Sequence, residues 1–367
     1  MPEPRQSVSP IGMSTEAPFF SVVVPVWNRH DTIRRCLDSV LAQDFLDFEV
    51  VAVDDGSDDD SVAIMETYTD PRLRIVRLPA NRGVCAARNA GTAAARGRWI
   101  VSFDSDDSME PGALQYLYDM ARKAPADVGV IGGLIETDGG PGGTIALPPE
   151  EPFGFPEYLR WNELGGGDIM PCRRREVFQT VQWPTDRRLE AGFHMKVASR
   201  WKFWIGRQVL QRVYTDSANR WTSDQSRKGD GRKRAMAPCM AADAEEVIIA
   251  FGADLKQYAP LYYWTFLESA AIWNFLAGRR WRGTKYALRA YVRRPLAIYL
   301  LGIIAAGVLG PRPLLAAMRW GWARRIHRTI RHACVPSARK TGTAGGCENR
   351  AVGTGVATQG GKTRASP

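Results

Sequence analysis

Residues 99–107 read Trp-Ile-Val-Ser-Phe-Asp-Ser-Asp-Asp, an apolar run that leads directly into an acidic cluster. The run is rich in residues that favour β-structure and predicts a buried strand over Trp99–Phe103. Residues 48–57, Phe-Glu-Val-Val-Ala-Val-Asp-Asp-Gly-Ser, repeat this arrangement. Because ligands collect at the carboxyl ends of parallel strands, we expect both acidic clusters at one functional edge of an α/β sheet.

The sequence around these two stretches alternates strand-like apolar runs with helical segments. Strands are predicted over Phe19–Val26, Phe48–Val53, Leu73–Leu78, Trp99–Phe103 and Val128–Ile135. Helices are predicted to begin near Asp31, Asp60, Val84 and Pro111, with aspartate caps on the first two and proline in the first turn of the last. This order predicts a Rossmann-like α/β fold with a mostly parallel central sheet and crossover helices.

The rest of the 367-residue sequence divides into further regions. Residues 1–18 are polar, lack the apolar stretch of a secretory signal and are predicted to be a disordered lead. The α/β domain is predicted over 19–222, with Gly- and Pro-rich loops over 136–167 around a short helix, Pro156–Leu164. A polar linker is predicted over 223–234, a helical basic region over 235–335 and a disordered tail over 336–367.

The net charge of +10 comes from the C-terminal third of the sequence. No acidic residue lies between Glu268 and Glu348, whereas Arg and Lys number 15 there. Apolar and aromatic residues interrupt this basic region, which favours an anionic membrane surface over nucleic acid as its partner. The apolar run Pro295–Gly310 is shorter than the ~20 residues of a spanning helix. From Leu315, apolar residues recur at helical spacing among arginines and predict an amphipathic interfacial helix; a packed bundle with a solvated basic face is the alternative.

Cysteine and histidine usage limits the chemistry and the compartment. Six scattered cysteines without a Cys-x-x-Cys pair, together with only four histidines, indicate neither a zinc site nor a disulfide framework. A reducing compartment fits this composition best. We therefore expect a cytoplasmic protein, peripheral at the inner face of the cytoplasmic membrane.

The two acidic clusters indicate a divalent cation. Carboxylates held close together repel one another unless a cation neutralises them, and oxygen-only ligands favour Mg²⁺ or Mn²⁺. Such an ion would bridge a diphosphate and stabilise the charge that builds on it as its bond to a sugar breaks. Taken singly, each cluster is also compatible with the caps and turns that commonly follow strands.

Five motifs in order make the prediction specific. They are Val22-Val23-Val24-Pro25-Val26-Trp27-Asn28-Arg29, Ser39-Val40-Leu41-Ala42-Gln43, Val53-Asp54-Asp55-Gly56-Ser57, Asn81-Arg82-Gly83 leading into Ala87-Arg88-Asn89-Ala90-Gly91, and Phe103-Asp104-Ser105-Asp106-Asp107. In order and spacing the chain resembles the inverting, nucleotide-sugar-dependent glycosyltransferases of family 2, which adopt the GT-A fold. The resemblance is strong over residues 19–112 and weaker to about 221.

The resemblance implies roles for the matching residues. The donor nucleotide sugar, with a UDP-sugar favoured, would contact Pro25, Val26, Asn28, Asp54, Asp55, Arg88, Asp104 and Ser105. Asp104 and Asp106 match the family's DxD motif and, with Asp107 beside them, would hold Mn²⁺ or Mg²⁺. Arg88 would counter the charge of the diphosphate.

The catalytic base is where the pattern departs from the family. An inverting transfer needs a base for the acceptor hydroxyl, usually the Asp of a Glu-Asp pair. That pair falls on Phe193-His194, which predicts His194 as the base. If the register slips, Glu190 or Asp186 serves instead. The remaining alternative is that His194 is an ordinary helix residue.

The resemblance also limits the reaction. Tyr214–Trp221 ends in Arg-Trp but lacks the leading Gln of the Gln-x-x-Arg-Trp motif of processive synthases, so single-sugar transfer is predicted. The acceptor is predicted to be a saccharide or lipid-linked saccharide of cell-envelope or exopolysaccharide synthesis. A catalytically impaired nucleotide-sugar-binding protein and a basic membrane-binding module are the alternatives.

Overall fold

The computed structural model describes residues 17–138, 140–141, 146–166, 168–185, 190–216, 230–293, 299–310, 313 and 315. Asp186, most of the predicted lead, the tail, and all but the first residue of the amphipathic segment from Leu315 lie outside this part of the chain.

The first half of the sheet agrees with the sequence prediction. Its strands are β1 (Phe20–Val26), β2 (Phe48–Asp54), β3 (Leu73–Arg77) and β4 (Trp99–Ser102). They lie in the order β3-β2-β1-β4 and are parallel. The connecting helices are α1 (Ile33–Leu41), α2 (Ser61–Glu66) and α3 (Val84–Ala94). Strands β1 and β2 are fully buried and mostly apolar because helices cover the sheet, whereas β3 at the edge is only partly buried.

The second half of the sheet is mixed, so the prediction of a mostly parallel sheet is wrong here. Four of the eight strand pairings are parallel and four are antiparallel. The elements are β5 (Ser108–Met109), α4 (Ala113–Lys123), β6 (Val128–Thr137), β7 (Gly140–Pro141), α5 (Phe155–Glu163), β8 (Ile169–Arg174), α6 (Arg175–Thr180), α7 (Ala191–Ala198) and β9 (Lys202–Val213). Strand β8 lies antiparallel between β4 and β6 and breaks the parallel order.

The helix starts differ in detail from the prediction. Thr32 rather than Asp31 holds the N-cap position of α1. Asp60 occupies that position in α2 but makes no side-chain capping bond. Asp59 takes this role, because its Oδ1 accepts a hydrogen bond from the Ser61 amide at 3.0 Å. Pro111 is followed by a left-handed Gly112, and α4 begins only at Ala113.

Four helices follow the α/β region: α8 (Asp230–Tyr258), α9 (Pro260–Leu276), α10 (Arg280–Arg293) and α11 (Tyr299–Leu309). Residues 230–234, predicted as the end of a linker, are therefore the first turn of α8. The amides of Leu261 and Tyr262 donate to Glu163 Oε1 at 2.6 and 3.2 Å, which ties the start of α9 to α5. Among the helices of the described residues, none is long and apolar enough to cross a membrane.

Candidate active site

The acidic clusters lie together at the carboxyl edge of the parallel strands. Asp54 is the last residue of β2, and Asp104 follows β4 by two residues. Both strands pair with β1, so their ends are separated only by the end of that strand. The sheet thus brings the two predicted clusters to one edge.

Asp54 and Asp55 shape the loops at this edge. Both residues are buried. Asp54 Oδ1 accepts a hydrogen bond from the Ser57 amide at 3.0 Å. The two carboxylate oxygens of Asp55 accept from the Arg82 and Gly83 amides at 2.8 and 2.7 Å. Asp55 therefore fixes the backbone at the start of α3.

Gly56 permits this close approach of the two loops. Its φ is +70°, and a Cβ built there would lie 2.8 Å from the Ala80 carbonyl carbon. An L side chain would both strain the backbone and collide with the neighbouring loop. The glycine in Asp-Asp-Gly-Ser is thus a requirement of the loop packing.

The segment after β1 contributes Asn28 but not the side chains of Pro25 and Val26. Pro25 and Val26 are buried within β1, and their contact with the donor stays a prediction. Asn28 has a left-handed φ of 52° and its Oδ1 accepts from the Asp58 amide at 2.9 Å. The Asn28 amide in turn donates to Ser57 Oγ at 3.0 Å. Asn28 therefore links the end of β1 to the Asp-Asp-Gly-Ser loop.

The Asp-Ser-Asp-Asp run places its residues in different environments. The Asp104 side chain is 49% exposed and accepts from Arg88 Nη2 at 2.8 Å. The Asp106 side chain is 14% exposed, with Oδ2 3.8 Å from Arg29 Nη2. Ser105 is buried, and its carbonyl accepts from Thr32 Oγ1 at 3.1 Å; its contact with the donor stays a prediction.

The Asp107 carboxylate is buried and accepts hydrogen bonds from within the protein. Its Oδ2 accepts from Gln211 Nε2 at 2.5 Å, and its Oδ1 accepts from the Tyr214 amide at 3.3 Å. Burial, together with Asp104 and Asp106, raises the pKa of Asp107 to about 7. Gln211 on β9 and Tyr214 directly after it supply these donors, and the role of Asp107 as a metal ligand stays a prediction.

Two carboxylates remain as candidate ligands for a divalent cation. Within the described residues, no group of three or more His, Cys, Asp or Glu side chains is arranged to hold a metal. Mg²⁺ is commonly bound by one or two protein carboxylates and completed by substrate phosphates and water. Asp104 and Asp106 fit that kind of site, in which a diphosphate supplies the missing ligands.

Arg88 connects this cluster to the region of the predicted base. It is buried on α3, and its Nη1 donates to Glu190 Oε1 while its Nη2 donates to Asp104. Glu190 immediately precedes α7, and its side chain is 36% exposed. Burial alone would raise the pKa of Glu190, but Arg88 and His194 hold it well below its usual range. Glu190 is therefore an ionised carboxylate at neutral pH.

His194 lies on α7 with both ring nitrogens engaged. Nδ1 is 3.3 Å from Arg173 Nη2, and Nε2 is 3.6 Å from Glu190 Oε2. Burial, with help from Arg173 and Arg88, lowers the pKa of His194, although Glu190 opposes them. The ring is thus neutral at neutral pH, and its lone pair faces a guanidinium that can only donate.

Two residues of this site were missed by the sequence prediction. Arg173 lies on β8, and Trp183 lies in the segment before α7, with the Arg88 guanidinium 4.9 Å from its ring centroid. The only available signal was the run Arg173-Arg174-Arg175, an unusual sequence for a strand end. Nothing in that run distinguishes the buried arginine from its neighbours.

The α/β sheet with carboxylates at the ends of β2 and β4 defines a GT-A-like fold. A similar fold is found in Staphylococcus aureus TarS 1–349 in complex with UDP-GlcNAc, with a TM-score of 0.54 and 16% identity. That likeness covers 83% of this chain and 92% of the TarS chain. Residues 21–179 match the sequence profile described as Glycosyl transferase family 2, which assigns this part of the chain to that family.

Two relatives match part of the chain. The succinoglycan biosynthesis protein ExoO of Rhizobium meliloti is 44% identical over 115 residues, which are 31% of this chain and 33% of ExoO. The glycosyltransferase GlyG of Streptococcus pneumoniae is 34% identical over 185 residues, 46% of this chain and 61% of GlyG. The matches therefore span between a third and three-fifths of these relatives.

Proposed function

We propose that the chain is an inverting, metal-dependent glycosyltransferase that moves a single sugar from a nucleoside-diphosphate sugar to a saccharide or lipid-linked acceptor. One observation carries this proposal: buried Arg88 joins Asp104 of the DxD motif to the Glu190 carboxylate. One guanidinium thereby contacts both Asp104, on the donor side of the site, and Glu190, the candidate base. The complex of TarS with UDP-GlcNAc supports a UDP-sugar as the first donor to test. The similarity to the succinoglycan biosynthesis protein ExoO supports a polysaccharide as the product.

In the proposed reaction Glu190 acts as the base. The acceptor oxygen attacks the anomeric carbon, its proton passes to Glu190, and the bond from that carbon to the diphosphate oxygen breaks. The nucleoside diphosphate leaves with the bonding electrons. Asp104 and Asp106 would hold Mn²⁺ or Mg²⁺, which when bound neutralises charge on the leaving diphosphate. Arg88 orients Glu190 and adds positive charge on the same side.

Glu190 is preferred to His194 for its hydrogen-bond capacity and not for its basicity, since Arg88 and His194 lower its pKa. A base needs an accessible lone pair within reach of the acceptor hydroxyl. The one lone pair of neutral His194 faces Arg173, and its other nitrogen faces Glu190. Glu190 has two oxygens with several lone pairs, and its side chain is in part solvent-exposed.

The experiment that tests this function is a screen of nucleotide sugars for release of nucleoside diphosphate with Mn²⁺ or Mg²⁺ present. Slow hydrolysis of at least one donor, lost on addition of a chelator, is the expected result. Donor binding without any turnover would instead support a catalytically impaired nucleotide-sugar-binding protein.

A membrane surface is the proposed location of the acceptor, and a patch on α10 and α11 supports this. Trp281 and Val292 on α10 are 89% and 77% exposed, and Leu288 between them is also exposed. Their spacings of seven and four residues put them on one helix face. Leu309 at the end of α11 is exposed, and Gly310 lies beside Arg280 at the start of α10. Exposed Arg280, Arg282 and Lys285 border this patch, whose chemistry matches anionic headgroups.

We expect the protein to float with vesicles that contain phosphatidylglycerol and not with pure phosphatidylcholine vesicles, and to dissociate in 0.5 M salt. Trp281→Ala should weaken binding about tenfold, because the variant lacks the exposed indole ring that would insert at the membrane interface. Ile249→Ala, which removes an exposed apolar side chain from α8, is the matched control and should bind as the parent does. Equal binding by all variants, or binding to neutral vesicles, would rule out this surface. Self-association in light scattering that depends on Trp281 would identify a second copy as the occupant instead.

A further inference from the structure

Arg173 is a buried guanidinium with an unusual set of partners. It is 1% exposed on β8. Within the described residues, its hydrogen-bond partners are neutral: Ser102 Oγ and His194 Nδ1, each at 3.3 Å. Its Nε has no partner there. Burial and the nearby charge of Arg88 lower the pKa of Arg173 to about 10, so it remains a cation at neutral pH.

This arrangement is costly for a residue that only fills space. Moving a cation out of water costs several kcal/mol unless hydrogen bonds and opposite charge compensate. The Trp183 and Phe193 rings lie 5.4 and 5.3 Å from the guanidinium and recover part of that cost. An apolar side chain of similar length would pack here without the desolvation penalty. The charge at this position therefore points to a role in the neighbouring site.

The contact with His194 fixes the state of the imidazole. A guanidinium has five N–H donors and no acceptor, so Nδ1 must present its lone pair to Arg173. The ring proton then sits on Nε2, which faces Glu190 Oε2 at 3.6 Å. The Trp183 and Phe193 rings meet the imidazole nearly edge-on, at interplanar angles of 85° and 76°, and limit its rotation.

The same contacts continue to the donor side. The Glu190 oxygen that does not face His194 accepts from Arg88, and Arg88 also binds Asp104. Four side chains thus connect β8 to the DxD motif: Arg173, His194, Glu190 and Arg88. The charged groups that face His194 are Glu190 from α7, Arg173 from β8 and Arg88 from α3.

We propose that Arg173 is a positioning residue that locks His194 in the Nε2–H tautomer, so that His194 donates to Glu190 and holds the carboxylate toward the acceptor. This role rests on the proposed function of Glu190 as the base. Arg173 also opposes protonation of His194. A protonated His194 would form an ion pair with Glu190. The lone pairs of the Glu190 carboxylate would then be less available to the acceptor hydroxyl.

The test compares Arg173→Met, Arg173→Lys and the matched control Arg174→Met. Arg174 lies next in β8 and donates to the backbone carbonyls of Val128 and Ala124, away from His194. In Arg173→Met we expect kcat at pH 6.5 to fall about 30-fold, with the donor KM changed less than threefold. The acidic limb of its pH–rate profile should move up by about one pH unit. Arg173→Lys should show a smaller loss of kcat and a smaller shift of the acidic limb. Arg174→Met should change neither kcat nor the acidic limb.

A readout without turnover comes from the ring nitrogens of the four histidines. Long-range ¹H–¹⁵N correlation of His194, assigned with His194→Ala, should report one Nε2–H tautomer in the parent and in Arg174→Met. In Arg173→Met it should report tautomer exchange or protonation near pH 6.5. In the His194→Ala background, Arg173→Met should leave the pH profile unchanged.

Three outcomes would overturn the proposal: an unchanged tautomer in folded Arg173→Met, an unchanged acidic limb, or an Arg173 effect that persists without His194. If Arg173→Met fails to fold, Arg173→Lys and Arg173→Gln carry the same test. Full activity in Glu190→Gln would instead overturn the assignment of the base. The two failures are therefore distinguishable.

Discussion

Glu190→Gln is expected to lower kcat for sugar transfer by about 10³-fold while leaving donor affinity within about threefold. General-base catalysis contributes roughly 10²–10⁴ in rate, and the amide keeps the size of the side chain while losing its basicity. Because the Gln oxygen can still accept from Arg88, residue 190 should keep its position. Steady-state transfer and calorimetric titration with UDP and Mn²⁺ measure the two quantities separately.

His194→Ala is the comparison that decides the identity of the base. As a positioning group, His194 should contribute a smaller factor, about tenfold to thirtyfold in kcat, and Glu190→Gln should add a further loss on top of it. If His194→Ala instead loses about 10³-fold in kcat while Glu190→Gln stays active, the roles of the two residues are reversed.

Asp106→Asn is expected to reduce the affinity for donor in the presence of Mn²⁺ by about 100-fold or more, because one of the two candidate carboxylate ligands loses its charge. Titration of the metal against a fixed donor concentration measures this change. Asp107→Asn is the matched control, since it makes the same chemical change one residue later.

The control should behave differently because Asp107 is bound within the protein by Gln211 and Tyr214. An asparagine keeps the size of the side chain and one of its two acceptor oxygens, so the contacts within the protein are largely retained. We expect Asp107→Asn to change metal-dependent donor affinity less than threefold. If the two variants lose affinity equally, Asp107 is a ligand and the assignment of the metal site is wrong.

The parallel half of the sheet could be predicted from the sequence because local patterns determine it. Strands β1, β2 and β4 are apolar runs that end in turn or acidic residues, and helices separate them. Apart from β6, the mixed half could not be predicted in the same way. Strand β8 reads Ile-Met-Pro-Cys-Arg-Arg, and β5 and β7 have two residues each, so neither hydrophobic period nor length identifies them.

The positions of site residues that directly follow a strand could be predicted from the sequence. Contacts between residues that lie far apart in the sequence could not. Asp54, Asp55 and Asp104 are placed by the strands that precede them. Asp104, Asp106 and Asp107 look equivalent in sequence, and only the contact with Gln211 on β9, 104 positions away, distinguishes the last of them. The pairing of Arg88 with Glu190 likewise joins residues 102 positions apart.

The anomeric configuration of the sugar released from an α-linked UDP-sugar distinguishes an inverting from a retaining reaction. Proton NMR during the first minutes of turnover with Mn²⁺ follows the anomeric signals before mutarotation. An inverting reaction with Glu190 as base predicts β-anomer first, together with stoichiometric UDP, and neither product in Asp106→Asn. Initial release of the α-anomer would contradict an inverting reaction. No release of nucleoside diphosphate from any nucleotide sugar would contradict the proposed glycosyltransferase activity.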